Sequence, residues 1–349
     1  MGILYVTEQG SSLVKQGDRI LVVKKGATLH WTHAFKVQQI ALMGNVNLSP
    51  QMIAFLLREG IDTVFLSYYG KYRGRLVAEL GKNVELRRNQ FKKIDDAEFR
   101  LTMARSYVKG KLNNCRVLLR RRNQDLASEK ITTALTRLRR MAEQVGAAAD
   151  NEQLMGLEGA GAAAYFGCFG ELVKARDIKF DGRNRRPPKD PINVLLSLGY
   201  TLLANTIHTQ VNVVGLDPYL GCLHTPEYGR PSLVLDLMEE FRPILVDSAV
   251  LYLINSGIIK NTDFYLTAEK EPAAFDFADP EPVRDEYPIF LKHEGMKKFV
   301  TIFEDQLNRK TLYPIRGHRL TYRDIILEQI RMFSRCVMEE SAYSPFLMR

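Results

Sequence analysis

The chain has 349 residues, of which 46% are hydrophobic and 26% charged, and its formal net charge at pH 7 is +9. This length allows two domains with a core each, and this composition excludes a disordered protein. The most apolar stretches are broken by polar residues before the roughly 20 apolar residues of a membrane span, and no signal-peptide pattern opens the chain. We therefore expect a cytoplasmic protein without a membrane anchor.

The positive charge is concentrated in residues 71–140, called the basic stretch below. It holds 20 Lys+Arg against 7 Asp+Glu, whereas residues 141–349 hold 23 against 29. A solvated helix face could account for part of this excess. An excess this large beside an acidic segment favours a polyanionic partner. The four cysteines lie far apart with no CxxC pair, so neither a zinc knuckle nor a redox pair is indicated.

The first 85 residues have the pattern of a small β-rich domain. The runs ILYV, SLVKQ and RILVVKK are β-branched and predict strands, with a hairpin turn at Gly17-Asp18. SPQMIAFLLREG predicts a helix capped by Ser49, with Pro50 in its first turn and Gly60 at its end. VQQIALMG, TVFLSYYG and GRLVAEL predict further strands.

From about Asp95 the apolar residues recur at helical spacing. A link at Lys82–Lys93 precedes this region, a second basic helix is predicted at Ile131–Gln144, and helices continue to the end with an interruption at Glu269–Pro288. The expected fold class is α+β. A β-rich domain at residues 1–88 is followed by a larger all-helical domain at residues 89–349.

Two distant segments carry the residues with chemical potential. In LHTPEYGRPSLVLDLMEEFRP, the acids Asp236, Glu239 and Glu240 follow at i, i+3 and i+4, which places them on one side of a helix, with His224 just upstream. In LEGAGAAAYFG, Glu158 starts a run of small residues that lets another helix approach closely. A carboxylate on such a helix is costly to bury unless it is paired or binds a metal.

Two interpretations of these residues remain open at this point. Carboxylates with one imidazole form a hard site that suits Mg²⁺ or Mn²⁺. Alternatively, the acids form ion pairs with Arg242 or Arg230, and His224 is a satisfied loop residue. The run Gly159–Ala164 also fits the dinucleotide pattern GxGxxA. However, a helical segment rather than a strand precedes it, which argues against a nicotinamide enzyme.

Ordered motifs along the whole chain resemble the CRISPR-associated integrase family, the Cas-one family. They are GDRILVVKKG, IALMGNVNLS and REGIDTVFLSYYGKYRGRL, then ARSYVKGKLNN, LEGAGAAAYF, RRPPKDPINVLLSLGYTLL and LHTPEYGRPSLVLDLMEEFRP. The resemblance implies that Glu158, His224 and Glu239 are catalytic metal ligands for Mg²⁺ or Mn²⁺. It also implies that Asp236 lies just behind them, and that Asn193 and Tyr200 line the substrate groove.

The resemblance further implies partners and a reaction. Members form homodimers through the β-rich domain and join a small companion protein, Cas-two, to insert captured DNA fragments into the CRISPR repeat array. A DNA 3′-hydroxyl would attack a repeat phosphodiester, and the same site would act as an endonuclease. A non-catalytic DNA-binding scaffold is the alternative. In either case, double-stranded DNA would be held through its phosphates by Arg105, Lys109, Arg116, Arg120, Arg121, Arg122, Arg137, Arg139 and Arg140.

Overall fold

The computed structural model describes residues 2–76, 78, 83–184, 188–266 and 289–348. It confirms a β-rich N-terminal region followed by a mostly helical one. The predicted interruption at Glu269–Pro288 lies outside the described residues. The strands are β1 (Gly2–Val6), β2 (Ser11–Gln16), β3 (Arg19–Lys24), β4 (Ala27–His33), β5 (Val37–Met43), β6 (Val46–Leu48), β7 (Asp62–Leu66), β8 (Tyr72–Leu76), β9 (Phe264–Leu266), β10 (Ile289–Leu291), β11 (Lys310–Tyr313) and β12 (His318–Thr321). The α-helices are α1 (Pro50–Arg58), α2 (Val84–Asp95), α3 (Ala97–Leu126), α4 (Glu129–Gln144), α5 (Asn151–Phe169), α6 (Pro191–Val214), α7 (Ser232–Met238), α8 (Ser248–Asn255), α9 (His293–Asn308) and α10 (Tyr322–Val337).

The chain divides into two compact units. The first comprises residues 1–80 and 262–300, and the second comprises residues 81–261 and 301–349. The sequence pattern predicted a boundary after residue 88, with residues 262–300 in the helical domain. Strands β9 and β10, which pair antiparallel, belong instead to the first unit. A non-local pairing of this kind leaves no periodic signal in the sequence.

The first unit contains two sheets of four described strands. One has the order β1-β5-β7-β8, with parallel pairs except for the antiparallel edge strand β8, and the other has the order β4-β3-β2-β6. The predicted hairpin is present, because β2 and β3 pair antiparallel across Gly17, which has a φ of +57°. Helix α1 begins as predicted, since the Ser49 side chain accepts a hydrogen bond from the Met52 amide. Its apolar face packs into the core of this unit.

The second unit is mostly helical, but a hairpin and a helix in it differ from the sequence-based prediction. Strands β11 and β12 form an antiparallel hairpin, so the unit is not all-helical. The segment read as a basic link is largely helix α2, because Leu86, Gln90 and Ile94 recur every four residues and bury one face. Helix α3 packs against α4 and α5, and α6 packs against α7 and α10. Within the described ranges, no helix is long and apolar enough to cross a membrane.

Two glycines allow chain segments to approach α3 closely. At Gly161 on α5, an added Cβ would lie 2.2 Å from Cδ2 of the buried Leu112 on α3. At Gly110 on α3, a Cβ would lie 2.9 Å from Cβ of Pro345 and 3.2 Å from Cβ of Glu240. Lys111 is the residue between Gly110 and Leu112 on α3.

Alanine substitutions at two glycines of α5, Gly161 and Gly156, should have opposite effects on the free energy of unfolding. We expect Gly161→Ala to lower the free energy of unfolding by about 1–3 kcal/mol, since the new methyl group overpacks against Leu112. Gly156→Ala on the same helix meets nothing within 4 Å and should raise it by up to about 1 kcal/mol. Urea unfolding followed by circular dichroism measures both changes. Stabilisation by both substitutions would contradict a packing constraint at Gly161.

Candidate active site

The predicted acids Glu158 and Glu239 meet at one buried lysine. Lys111, on α3, is 8% exposed, and its Nζ bonds to Oε1 of Glu158 on α5. The same nitrogen lies 2.6 Å from Oε2 of Glu239, the residue that directly follows α7. The other carboxylate oxygen of Glu239 lies 3.2 Å from Nε of Arg242. Two carboxylates from different helices therefore converge on a single ammonium group.

The charges in this cluster stabilise one another. Burial alone would raise the pKa of Glu239, but the positive groups of Arg242 and Lys111, with a smaller contribution from the nearby His224, outweigh it and lower the pKa to about 2. Burial would likewise lower the pKa of Lys111, whereas the carboxylates of Glu239 and Glu158 raise it overall. The carboxylate of Glu239 and the ammonium group of Lys111 therefore stay ionised at neutral pH.

His224 is oriented by the buried Asp236. One oxygen of Asp236 lies 2.7 Å from Nδ1 of His224 and accepts the His224 amide at 3.0 Å. Its other oxygen accepts the amides of Cys222 at 2.5 Å and Leu223 at 2.9 Å. With the Nδ1 proton donated to Asp236, Nε2 is the nitrogen left to bind a ligand. A carboxylate behind a metal-binding histidine commonly has this role.

Glu240 does not share a side with Asp236 and Glu239. Helix α7 ends at Met238, and a π-helical segment follows at Arg242–Asp247, so the expected i+4 alignment is lost. Glu240 is buried and accepts hydrogen bonds from the Tyr343 hydroxyl, Gln329 Nε2 and the Phe346 amide. Burial raises the pKa of Glu240 to about 7 against these hydrogen bonds. Its side chain anchors the C-terminal segment instead of pairing with Lys111.

The donor set at Lys111 fits a hard divalent cation. Oxygens of Glu158 and Glu239 already face one positive centre, and His224 is close enough to lower the pKa of Glu239. In the described part of the chain, Glu239 Oε2 is buried without a partner in hydrogen-bonding geometry. No three His, Cys, Asp or Glu side chains among the described residues form a preformed metal cluster, since Lys111 stands between the acids.

Comparison with known proteins decides the family. Residues 4–305 match the family described as CRISPR associated protein Cas1. The chain belongs to the Cas1 family. It is 37% identical over 352 residues to CRISPR-associated endonuclease Cas1 3 of Thermus thermophilus, covering 100% of this chain and 98% of that protein. It is 32% identical over 361 residues to CRISPR-associated endonuclease Cas1 1 of Chlorobaculum tepidum, covering 100% and 99%.

Solved structures show that the Cas1 fold extends over almost the whole chain. A casposase bound to an integration product has a TM-score of 0.81 at 24% identity, covering 99% of this chain and 93% of that one. A Cas1 protein from Thermotoga maritima has a TM-score of 0.80 at 24% identity, covering 99% and 100%. At these identities the likeness establishes the fold.

The continuous helix α5 through Glu158 also excludes the dinucleotide interpretation, which required a strand before Gly159.

The residues Asn193 and Tyr200, which the Cas1 resemblance placed in a groove, have different surroundings. Asn193 is fully buried; its amide oxygen accepts from Arg183 and its amide nitrogen donates to the Gly182 carbonyl. It therefore shapes a loop and does not line a groove. Tyr200 does line a cavity of about 380 Å³, together with Lys111 and other residues.

That cavity contains a group that the sequence analysis missed. Asp247, at the end of the π-helical segment, is buried and accepts the hydroxyls of Tyr200 at 2.6 Å and Tyr165 at 2.9 Å. The Tyr200 ring lies against two guanidinium groups, those of Arg242 at 4.6 Å and Arg183 at 5.5 Å. Such cation–π contacts hold the arginines in fixed positions beside the cluster.

Two of the nine predicted DNA contacts are engaged within the protein. Arg105 donates to the Ala148 carbonyl at 2.7 Å, and Arg139 Nε lies 2.9 Å from Glu143 Oε1. The other seven lie on α3 and α4, as the helical periodicity predicted, and Arg116 among them is half-buried. The exposed ones are Lys109, Arg120, Arg121, Arg122, Arg137 and Arg140.

Asp247 predicts a measurable dependence of stability on pH. Burial raises the pKa of its carboxyl from 3.8 to about 6, against the lowering effects of Tyr200, Tyr165, Arg242 and Arg183. The folded protein binds this proton more tightly than the unfolded chain, so the stabilising contribution is complete below about pH 4 and is lost as pH rises through about 6. We expect Asp247→Asn to remove about 2–3 kcal/mol of this pH dependence. Urea unfolding across this range tests it, and parallel profiles for both proteins would contradict it.

Proposed function

We propose that this protein is a divalent-metal-dependent DNA integrase and endonuclease that inserts captured DNA fragments into a CRISPR repeat array. The observation that supports it most directly is the convergence of Glu158 and Glu239 on one cationic position, beside a histidine oriented by Asp236. Glu158, Glu239 and this histidine, His224, are the residues that the Cas1 resemblance selects as metal ligands. Relatives that cover the whole chain bear the name endonuclease.

Glu158, His224 and Glu239 would hold Mg²⁺ or Mn²⁺. When bound, such an ion polarises a phosphodiester and lowers the pKa of a hydroxyl nucleophile. The surrounding residues of this chain have separate roles. Asp236 keeps His224 in the tautomer with Nε2 unprotonated, and Lys111 and Arg242 supply positive charge that would stabilise the negative charge gained by a phosphorane.

In the proposed reaction, the 3′-hydroxyl of a DNA fragment gives up its proton to solvent, and its oxygen forms a new bond to a repeat phosphorus atom. The bond from that phosphorus to the 3′-oxygen of the repeat strand breaks, and the released oxygen takes up a proton. Water in place of the 3′-hydroxyl gives endonuclease cleavage. The two outcomes differ only in the nucleophile, so one site serves both.

The assembly is also proposed. Solved structures with this fold include a complex that contains Cas1 and Cas2, in which the matching chain is 22% identical with a TM-score of 0.82. We propose a homodimer through the first unit, joined by Cas2 and holding double-stranded DNA. The exposed arginines of α3 and α4 would contact phosphates without reading sequence.

A non-catalytic DNA-binding scaffold is the second candidate. It is favoured by the ion pairs that Glu239 forms with Lys111 and Arg242, since these satisfy the acid without a metal. The two candidates differ in metal binding. The enzyme has a saturable Mn²⁺ site that disappears with Glu239→Gln, whereas the scaffold has no such site.

Substitution of the proposed ligands tests catalysis. We expect Glu158→Gln, His224→Ala and Glu239→Gln each to reduce strand transfer at least about 100-fold, because each removes a metal ligand and several kcal/mol of transition-state stabilisation. The assay is incorporation of a labelled duplex into a repeat-containing plasmid by the complex with Cas2 in Mn²⁺. Glu171→Gln, an exposed carboxylate just after α5, is the control and should keep full activity. Undiminished activity in the three variants would overturn the proposal.

Neutralising exposed arginines tests the DNA surface. We expect the double substitution Arg120→Gln and Arg121→Gln to weaken duplex binding for all sequences, and to reduce the slope of log K against log salt by about 2. Fluorescence anisotropy at several salt concentrations measures the slope. The control is Lys36→Gln with Arg58→Gln, two exposed cations of the first unit. An unchanged slope in the first pair would place the DNA on another surface.

A further inference from the structure

The position of Lys111 has a consequence for the order in which ligands bind. Its ammonium group is buried and lies where the oxygens of Glu158 and Glu239 converge. A divalent cation bound by the same two carboxylates would meet this positive group at contact distance. Like charges this close in a buried site repel strongly, so the ammonium group and a metal ion compete for the two acids.

The balance of charge points in the same direction. Asp236, Glu158 and Glu239 are three acidic groups, and Lys111 and Arg242 are two cations in direct contact with the last of these acids. Their formal charges sum to −1 without a metal. A divalent ion added alone would change the sum to +1 and leave excess positive charge in a buried region, which is costly. One DNA phosphodiester brings the sum to zero.

The surroundings leave room for the ammonium group to move. Lys111 and Arg242 both line the cavity of about 380 Å³ described above. A lysine side chain carries its charge on a flexible four-carbon stem. Its ammonium group can therefore leave the two carboxylates and pair with a phosphate oxygen while α3 stays in place.

We propose that Lys111 is a built-in counter-cation that weakens divalent-metal binding at Glu158 and Glu239 until a DNA phosphodiester is present. This inference rests on the proposed metal-dependent function. Metal and DNA then bind cooperatively, and by linkage each raises the affinity of the other by the same factor. The metal-free protein keeps its acids paired, and metal is recruited together with the substrate.

The test is the affinity for Mn²⁺, measured as free Mn²⁺ by electron paramagnetic resonance, with and without a short DNA duplex. The Glu158→Gln protein with the same DNA provides the baseline for Mn²⁺ bound by DNA itself. For the wild type we expect at least about tenfold tighter binding when DNA is present. For Lys111→Met we expect DNA-free binding at least about tenfold tighter than in the wild type, and a smaller effect of DNA.

Two further variants separate charge from structure. Lys111→Arg keeps the positive charge and should retain the weak DNA-free affinity of the wild type. Lys24→Met removes an ammonium group from an ion pair with Glu8 in the first unit and should leave Mn²⁺ affinity unchanged. Equal DNA-free affinity in the wild type and Lys111→Met would overturn the inference. Even with that result, the proposed function stands if the Mn²⁺ site of the wild type disappears in the Glu158→Gln protein.

Folding gives an independent readout. Lys111→Met leaves the buried carboxylate of Glu239 and the partly buried carboxylate of Glu158 without their shared cation, so its melting temperature in EDTA should fall below that of the wild type. Saturating Mn²⁺ should restore it, because the metal takes the place of the ammonium group. A Lys111→Met protein that stays unfolded in saturating Mn²⁺ would overturn the inference. The absence of any Mn²⁺ site in the wild type, with DNA as well as without, would overturn both the inference and the proposed metal dependence.

Discussion

One buried ammonium group holds the carboxylates of Glu158 and Glu239 side by side. Desolvation alone would favour protonation of Glu239. Lys111 and Arg242 reverse that balance. The cluster therefore meets a general condition for buried charges, which are tolerated only when opposite charges compensate them.

This compensation depends on how closely the backbone segments pack. Glu158 reaches α3 because α5 approaches it at Gly161, where a side chain would collide with Leu112. On the other side of Lys111, Gly110 admits the segment that follows α7. Gly161, which belongs to the run that fits a dinucleotide motif, thus affects the electrostatics of the site indirectly. It allows the close helix packing that sets the distance between Glu158 and Lys111.

The sequence predicted one half of the cluster well. The spacing of His224, Asp236 and Glu239 around one predicted helix indicated their proximity, and the structure brings His224 and Asp236 into direct contact. Glu240 was misplaced because the sequence pattern assumed an unbroken helix, whereas α7 ends after Met238. A helix end followed by a π-helical segment is decided by tertiary packing, which periodicity does not encode.

Lys111 was missed for a different reason. It lies in the basic stretch, where lysines and arginines were interpreted as a surface for phosphates, and one buried cation among many exposed ones has no compositional signature. Its neighbour Lys109, two residues away, is exposed. The apolar stripe through Leu112 and Cys115 does mark the buried side of α3. Testing each charged residue against that stripe could have identified Lys111.

The C-terminal segment constrains the same region from the opposite side. Glu240 binds the Tyr343 hydroxyl and the Phe346 amide, while Asn114, one turn after Lys111 on α3, donates to the carbonyls of Glu240 and Phe346. Helix α3 therefore holds two consecutive glutamates through different residues, Glu239 by charge and Glu240 by packing and hydrogen bonds. Because Glu240 is anchored in the interior, its neighbour cannot follow a departing ammonium group. The carboxylate of Glu239 stays in place when its cation changes, as a site that exchanges one cation for another requires.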